Sequence, residues 1–330
     1  MSEKKGIILS GMRPTGKLHL GNLFGALENW VKLQDEYQCF FCVVDWHALT
    51  TAYEEPSDVK ENVKEMVLDW LSCGIDPEKA VVFRQSDVKE HAELHLLLSM
   101  VTPLSWLERI PTYKEQLQQI EGRNLATYGF LGYPLLQAAD ILIYKATAVP
   151  VGEDQAPHIE FTREIARRVN YMYNKKIFPE PATILNEYKL VPGLDNRKMS
   201  KSYNNVLEIS IPPQEIPERV RMMITDPGRI RKSDPGNPEI CSIYAFHRIF
   251  NQLEPESIET ACRGGEIGCV ECKKMLSGWM HKFLEPIFNK RQELEKNPQL
   301  VAEILEKGRE KAQEVARNTM QEVRSAMGMV

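Results

Sequence analysis

Gly6-Ile7-Ile8-Leu9-Ser10-Gly11 is the first interpretable stretch of the chain, and it runs on as Met12-Arg13-Pro14-Thr15-Gly16-Lys17-Leu18-His19-Leu20-Gly21-Asn22. The apolar run reads as a buried strand closed by a glycine turn. Leu20, Leu23, Phe24, Leu27, Trp30 and Val31 then recur at three- and four-residue spacing, which marks a helix. Outward from there, Cys39 to Val44 is a continuous apolar run, suited to a parallel strand covered on both faces. Pro56-Ser57-Asp58 starts a second helix reaching Leu71, and Ala80-Val81-Val82-Phe83 is a third strand. This alternation predicts an α/β fold, a Rossmann-like doubly wound parallel sheet with its ligand at the carboxyl ends of the strands.

The loop from Gly11 to Leu18 nearly matches G-x-x-x-x-G-K-[ST], but Leu18 stands where a hydroxyl should hold Mg²⁺. It is therefore read as a glycine-rich turn feeding the N-terminus of the next helix, a place that favours anions. His19 sits in that turn and can donate to a phosphate oxygen, while Gly21 allows a ligand close to the backbone. Two other pairs carry no chemistry in this reading. His91 and His95 lack the H-E-x-x-H pattern and are expected on a solvated or capped helix face. Cys39 and Cys42 lie in a strand, where alternation turns them to opposite faces as inert buried thiols.

Further on, Tyr133 to Leu142 is mostly apolar and helix-like, with Gln137, Asp140 and Tyr144 on one face. A carboxylate in such company needs a partner, either a neighbouring loop or the polar anchor of a small-molecule pocket. Val149-Pro150-Val151 reads as a short strand, and Gly152-Glu153-Asp154-Gln155 opens a long helix reaching about Tyr173. Arg197-Lys198-Met199-Ser200-Lys201-Ser202 lies between Pro192-Gly193 and Asn204-Asn205, so it is expected to be a flexible loop. Two lysines and two hydroxyls within five residues suit a polyphosphate whose charge grows in a transition state.

The 330 residues, 43% hydrophobic and 26% charged, suit two globular domains. A net charge of −5 gives no global basic field for coating nucleic acid. No apolar run reaches the roughly 18 residues of a membrane span, and Met1-Ser2-Glu3-Lys4-Lys5 leads into a strand without a signal-peptide core. A cytoplasmic protein is expected. Past residue 207 the pattern turns helical, which predicts an α/β domain over 1–206 and a helical domain over 207–330. Within the latter, Cys241, Cys262, Cys269 and Cys272 form a C-x20-C-x6-C-x2-C set, expected to bind metal. Four thiolates suit either Zn²⁺ or a [4Fe–4S] cluster.

With His19-Leu20-Gly21-Asn22 and Lys198-Met199-Ser200-Lys201-Ser202 both present, the chain resembles the class I aminoacyl-tRNA synthetases. Pro14-Thr15-Gly16, Val43-Val44-Asp45-Trp46-His47-Ala48, Ala138-Ala139-Asp140-Ile141-Leu142 and Val149 to Gln155 narrow the resemblance to the bacterial tryptophanyl-tRNA synthetases. The resemblance implies that Arg13, Pro14, Thr15, His19, Gly21 and Asn22 hold ATP, supplied with Mg²⁺. It implies Gly152, Glu153 and Asp154 at the ribose, Val191 against adenine, and Lys198, Met199, Ser200, Lys201 and Ser202 around the departing pyrophosphate. Asp140 would accept the indole N–H, Tyr133 and Gln155 would serve the amino group, and Gln137, His47, Val149 and Val151 would line the tryptophan pocket. Leu9 and Gln137 depart from the residues common in these enzymes, and Gln137-x-x-Asp140 is also similar to tyrosyl-tRNA synthetases, the nearest alternative. The cysteine spacing is similar to that of members carrying a [4Fe–4S] cluster in the tRNA-binding domain, with zinc the second choice. A homodimer acting on tRNA(Trp) follows from the same resemblance. A non-catalytic iron–sulfur RNA-binding paralogue would instead need a degraded Lys198 to Ser202 loop.

Overall fold

A computed structural model describes residues 4–54, 59–110, 126–185, 191–251 and 254–330. Among these residues the strands form one parallel sheet of five: β1 (Ile7–Met12), β2 (Gln38–Val43), β3 (Ala80–Arg84), β4 (Ala148–Val151) and β5 (Ala182–Leu185), in the order β3-β2-β1-β4-β5. The order reverses between β1 and β4, and the crevice at such a switch point is where doubly wound sheets take their ligands. The first three strands lie where the apolar runs place them. The expected helix start at Pro56-Ser57-Asp58 lies outside the described residues, and the helix there, α3, is seen over Val59–Ser72. β5 is an addition: it is short and only partly buried at the sheet edge, so it has no continuous apolar run to announce it.

Both faces of the sheet are covered. Cys39 packs into the core on one face and Cys42 into the core on the other, as alternation requires, and burial pushes the Cys39 thiol up to about 12. The helix after β1, here α1, begins with an α-turn at Leu20–Asn22, continues as a π-helical segment over Leu23–Leu27, and finishes as α-helix over Glu28–Glu36. Such π segments often mark functional sites. α2 is Asp45–Ala52, α4 is Glu90–Ser99, α5 is Leu104–Glu108, α6 is Tyr128–Ile143 and α7 is Ala156–Met172.

The helical half follows with α8 (Ile216–Met222), α9 (Ser242–Phe250), α10 (Pro255–Arg263), α11 (Cys269–Leu294) and α12 (Leu300–Ala326). α12 lies directly on β3, where Gly308 has no room for a Cβ against the Val82 carbonyl. Charged pairs flank this contact, Lys145 with Glu322 and Arg324 with Glu93.

α11 is tied to the sheet half by one buried guanidinium. Arg291, 2% exposed, donates to Asp69 at 2.5 Å and Glu65 at 2.6 Å on α3, and to Glu295 at 2.8 Å. The other oxygen of Asp69 accepts the Leu18 amide at 2.6 Å, in the loop that leads to His19. Removing one partner of such a network leaves buried charge unpaired. Arg291→Ala is expected to lower unfolding free energy by about 3–5 kcal/mol in urea titration.

Candidate active site

At the carboxyl ends of β1 and β4 lies a cavity of about 350 Å³, at the small end for small-molecule sites. Its walls include Leu9, Met12 and Arg13 from β1 and its loop, His47 from α2, Tyr133, Gln137 and Asp140 from α6, and Val149, Val151 and Gln155 from β4 onward. The seven residues expected around an aromatic substrate, His47, Tyr133, Gln137, Asp140, Val149, Val151 and Gln155, thus share one cavity, together with Arg13 from the loop expected to hold ATP.

Asp140 is the polar centre of this cavity and is only 2% exposed. His47 Nε2 lies 2.9 Å from Oδ2, His91 Nδ1 lies 2.7 Å from Oδ1, and Gln85 Nε2 reaches both oxygens at 2.9 Å. Burial alone would push the carboxyl up. The two histidine hydrogen bonds outweigh it and hold Asp140 at about 2, an ionised group that only accepts. Gln85 is itself fixed, accepting the Trp46 amide through Oε1 at 3.2 Å. Next to this cluster Asp45 accepts the Ser86 amide at 3.0 Å and the Ser86 hydroxyl at 2.5 Å.

His91 is a correction to the sequence reading. It does not sit on a solvated helix face: it is fully buried between Asp140 and Tyr144, whose hydroxyl lies 2.7 Å from Nε2. His95, one turn along, is half-buried, and burial pushes it below the usual histidine range. Gln85 and His91 lie 55 and 49 residues from Asp140 in sequence, so no local pattern joins them. On the amino side of α7, Tyr133 Oη lies 3.4 Å from Nε2 of His158, and burial lowers His158 to about 4.

The two phosphate-type loops meet. Leu20 donates its amide to Leu207 and Ile209 to Leu18, both at 2.9 Å, which pins the first loop to the chain just beyond the second. The His19 amide donates to Asn22 Oδ1 at 3.0 Å, closing the helix start. Lys201 Nζ donates to the Thr15 carbonyl, and Met199 packs within van der Waals reach of Gly21. Burial first and Lys201 second lower His19 to about 4, so its imidazole is neutral at physiological pH. The second loop is stapled by Asn205, 2% exposed. Its Oδ1 accepts the Ser200 amide at 2.8 Å, and its Nδ2 donates to Asp195 at 2.6 Å and to the Lys198 carbonyl at 3.1 Å. Gly193 lacks the Cβ that would strike this asparagine. Asn205 reads in sequence only as a turn residue. Val191 is buried beside the loop, where Pro192 bridges Lys198. Gly152 caps the short turn of Glu153–Gln155 at the end of β4, and Glu153 and Asp154 are exposed there.

The four cysteines of the helical half come from three helix ends. Cys241 precedes α9, Cys262 closes α10, and Cys269 and Cys272 occupy the first turn of α11. All are half-buried free thiols. Burial raises Cys272 to about 12, and the charges of Cys241, Cys262 and Cys269 add to that rise, so the four lie within electrostatic reach of one another. Arg229 Nη1 approaches the Cys262 sulfur at 3.6 Å, and Gly236 faces the same sulfur where a Cβ would come within 2.6 Å. The donor chemistry fits a thiolate-bound metal group. Among the described residues, no three His, Cys, Asp or Glu side chains take up the spacing of a single bound ion.

A family profile described as tRNA synthetases class I (W and Y) matches residues 1–285. The tryptophan–tRNA ligase of Thermotoga maritima is 54% identical over 326 residues, covering 98% of this chain and 99% of that one. The Aquifex aeolicus tryptophan–tRNA ligase is 46% identical, with 98% and 99% covered. In structure, the chain is similar to the tryptophanyl-tRNA synthetase from Campylobacter jejuni complexed with ADP and tryptophan. The TM-score is 0.86 at 34% identity, covering 98% of this chain and 99% of that one. Sheet order, converging loops and full-length likeness agree, and the chain belongs to the class I tRNA synthetases of the tryptophan and tyrosine group.

Proposed function

We propose that the chain is a tryptophan–tRNA ligase. It joins the carboxylate of L-tryptophan to the α-phosphorus of ATP with loss of pyrophosphate, then passes the tryptophanyl group to the 3′ end of tRNA(Trp). The observation that carries this reading is Asp140, an ionised acceptor buried at a cavity of mixed polar and apolar walls beside two touching phosphate-type loops. The indole N–H meets Asp140, and Val149, Val151 and His47 wall the ring. Tyr133 and Gln155 serve the amino group, with Gln137 beside them.

The substrate carboxylate is itself the nucleophile, so no general base is needed, and the protein supplies position and charge. Arg13, Pro14, Thr15, Gly21 and Asn22 hold ATP from the first loop, with Mg²⁺ on its phosphates. Neutral His19 donates one N–H to a phosphate oxygen. Gly152, Glu153 and Asp154 take the ribose, and Val191 lies against adenine. Lys198, Ser200, Lys201 and the backbone of Met199 and Ser202 stabilise the charge that gathers on pyrophosphate as it leaves. A site built on an N–H acceptor forfeits that hydrogen bond when phenylalanine enters, which favours tryptophan.

Residues 207–330 form the tRNA anticodon-binding domain in this reading. Cys241, Cys262, Cys269 and Cys272 hold a [4Fe–4S] cluster, and zinc is the second choice. The all-sulfur donor set and the neighbouring Arg229 and Lys273 support the assignment, since positive groups offset thiolate charge. Such a group supplies a rigid link between three helix ends, and the ligation reaction asks no redox step of it. Leu96, Met100, Leu104 and Tyr128, exposed by 56, 67, 59 and 67% on neighbouring helices, support a homodimer. No helix of the described residues is long and apolar enough to cross a membrane, and we place the enzyme in the cytoplasm as part of the proposal.

ATP–pyrophosphate exchange is the test of substrate. L-tryptophan should drive it and L-tyrosine should not, and exchange driven by tyrosine alone would overturn the assignment. Asp140→Asn should raise the KM for tryptophan about tenfold or more while leaving that for ATP within twofold. Anaerobic purification with metal and sulfide analysis should give about four irons and four sulfides per chain, whereas one zinc would replace the cluster reading. His19 adds a pH effect. Its folded value near 4 lies below the ordinary 6.5, so the unfolded chain takes up the proton first and stability is lost as pH falls from 6.5 to 4. Thermal melts of His19→Gln should show a shallower loss across that window than the parent.

A further inference from the structure

His91 is a fully buried polar side chain that does not itself line the cavity, yet its Nδ1 lies 2.7 Å from Oδ1 of Asp140, which does. We infer that His91, backed by Tyr144, is a positioning residue for recognition of the tryptophan ring, acting through Asp140. The inference rests on the reading of Asp140 as the indole N–H acceptor.

The hydrogen-bond chain has one consistent direction. Asp140 is ionised and only accepts, so His91 donates through Nδ1–H. Burial holds the Tyr144 hydroxyl far above its ordinary range, so it keeps its proton and donates to His91 Nε2 at 2.7 Å. Tyr144 thereby fixes the His91 tautomer, as the outer partner of a metal-bound or catalytic imidazole does. The rings are clamped in turn. Tyr144 stacks on Phe40 at 4.6 Å and 22°, and Phe83 packs on both Tyr144 and His91 at 5.4 and 6.0 Å.

The geometry divides the two oxygens of Asp140 between two tasks. His91, fully buried and not among the residues lining the cavity, holds Oδ1. His47, which does line the cavity, meets Oδ2 at 2.9 Å, so Oδ2 is the oxygen nearer the substrate. His91 and Gln85 meet Oδ1, and His47 and Gln85 meet Oδ2, so an indole N–H reaching Oδ2 shares that oxygen with donors already in place. With Oδ1 anchored by His91, the carboxylate cannot rotate Oδ2 away from the cavity. A histidine serving only to fill the core would not need that donor on the substrate-binding carboxylate.

The test compares L-tryptophan with benzothienylalanine, which carries sulfur where the indole N–H stands. The KM for tryptophan and ATP, and the inhibition constant of the sulfur analogue, are measured by pyrophosphate exchange. His91→Leu should raise the tryptophan KM about tenfold, with the ATP KM and the analogue constant within twofold of the parent. His91→Asn, which returns an amide N–H near the Nδ1 position, should recover most of the loss. Tyr144→Phe keeps the ring and removes only the hydroxyl, so it serves if His91→Leu does not fold, and it should shift tryptophan over analogue in the same direction. Equal effects on tryptophan and analogue, or none on either, would overturn the positioning role. Asp140→Asn separates the two levels of the argument. If it too treats tryptophan and analogue alike, the N–H acceptor reading fails and the proposal with it; if it discriminates and His91→Leu and Tyr144→Phe do not, only the role of His91 falls.

Discussion

Asp69 accepts from two sources at once, and much of the molecule hangs on it. One oxygen takes the Leu18 amide at the mouth of the first loop, and the other takes Arg291 from the helix that begins with Cys269 and Cys272. A fully buried carboxylate is tolerable only when both oxygens are satisfied, so the contact fixes three things together. It sets where α3 lies, where α11 crosses it, and how the chain enters His19. The helical half is therefore not a loosely hung module. Its last helix also lies flat on the sheet edge at β3, close enough to require Gly308.

With the entry to His19 held, the remaining geometry follows from two loops sharing little space. Lys201 reaches the Thr15 carbonyl, and Met199 sits against Gly21, so both loops present their donors to one region at the strand ends. Asn205 keeps the second loop in shape from inside, binding the Ser200 amide and the Lys198 carbonyl. Preorganised donors of this kind favour charge that develops during reaction, since they need no reordering when it appears. Burial keeps His19 neutral, and a neutral imidazole still offers a single N–H to an oxygen. The cavity adjoins the first loop, since Arg13 belongs to both, and it lies at the switch point between β1 and β4.

Much of this was legible in the residues. Strands β1 to β3 are buried on both faces and read as apolar runs, and the opposite placement of Cys39 and Cys42 follows from alternation alone. The short loops carry their chemistry within a few residues, so His19 to Asn22 and Lys198 to Ser202 stand out. What stayed hidden depends on contacts far apart in sequence. β5 is a short edge strand without a strong pattern, and the packing of α12 on β3 is decided by shape. The environment of His91 was misread because helix spacing says which residues share a face but not what that face meets. Gln85, Arg291 and Asn205 are likewise ordinary polar residues until the fold brings Asp140, Asp69 and Ser200 to them.

The most direct test of the account is a crystal structure with L-tryptophan and a non-hydrolysable ATP analogue bound. The indole nitrogen is expected about 2.7–3.1 Å from Asp140 Oδ2, with the amino acid carboxylate turned toward the phosphates held by His19 and Lys201. An indole ring seated elsewhere, or one whose nitrogen faces away from Asp140, would contradict it.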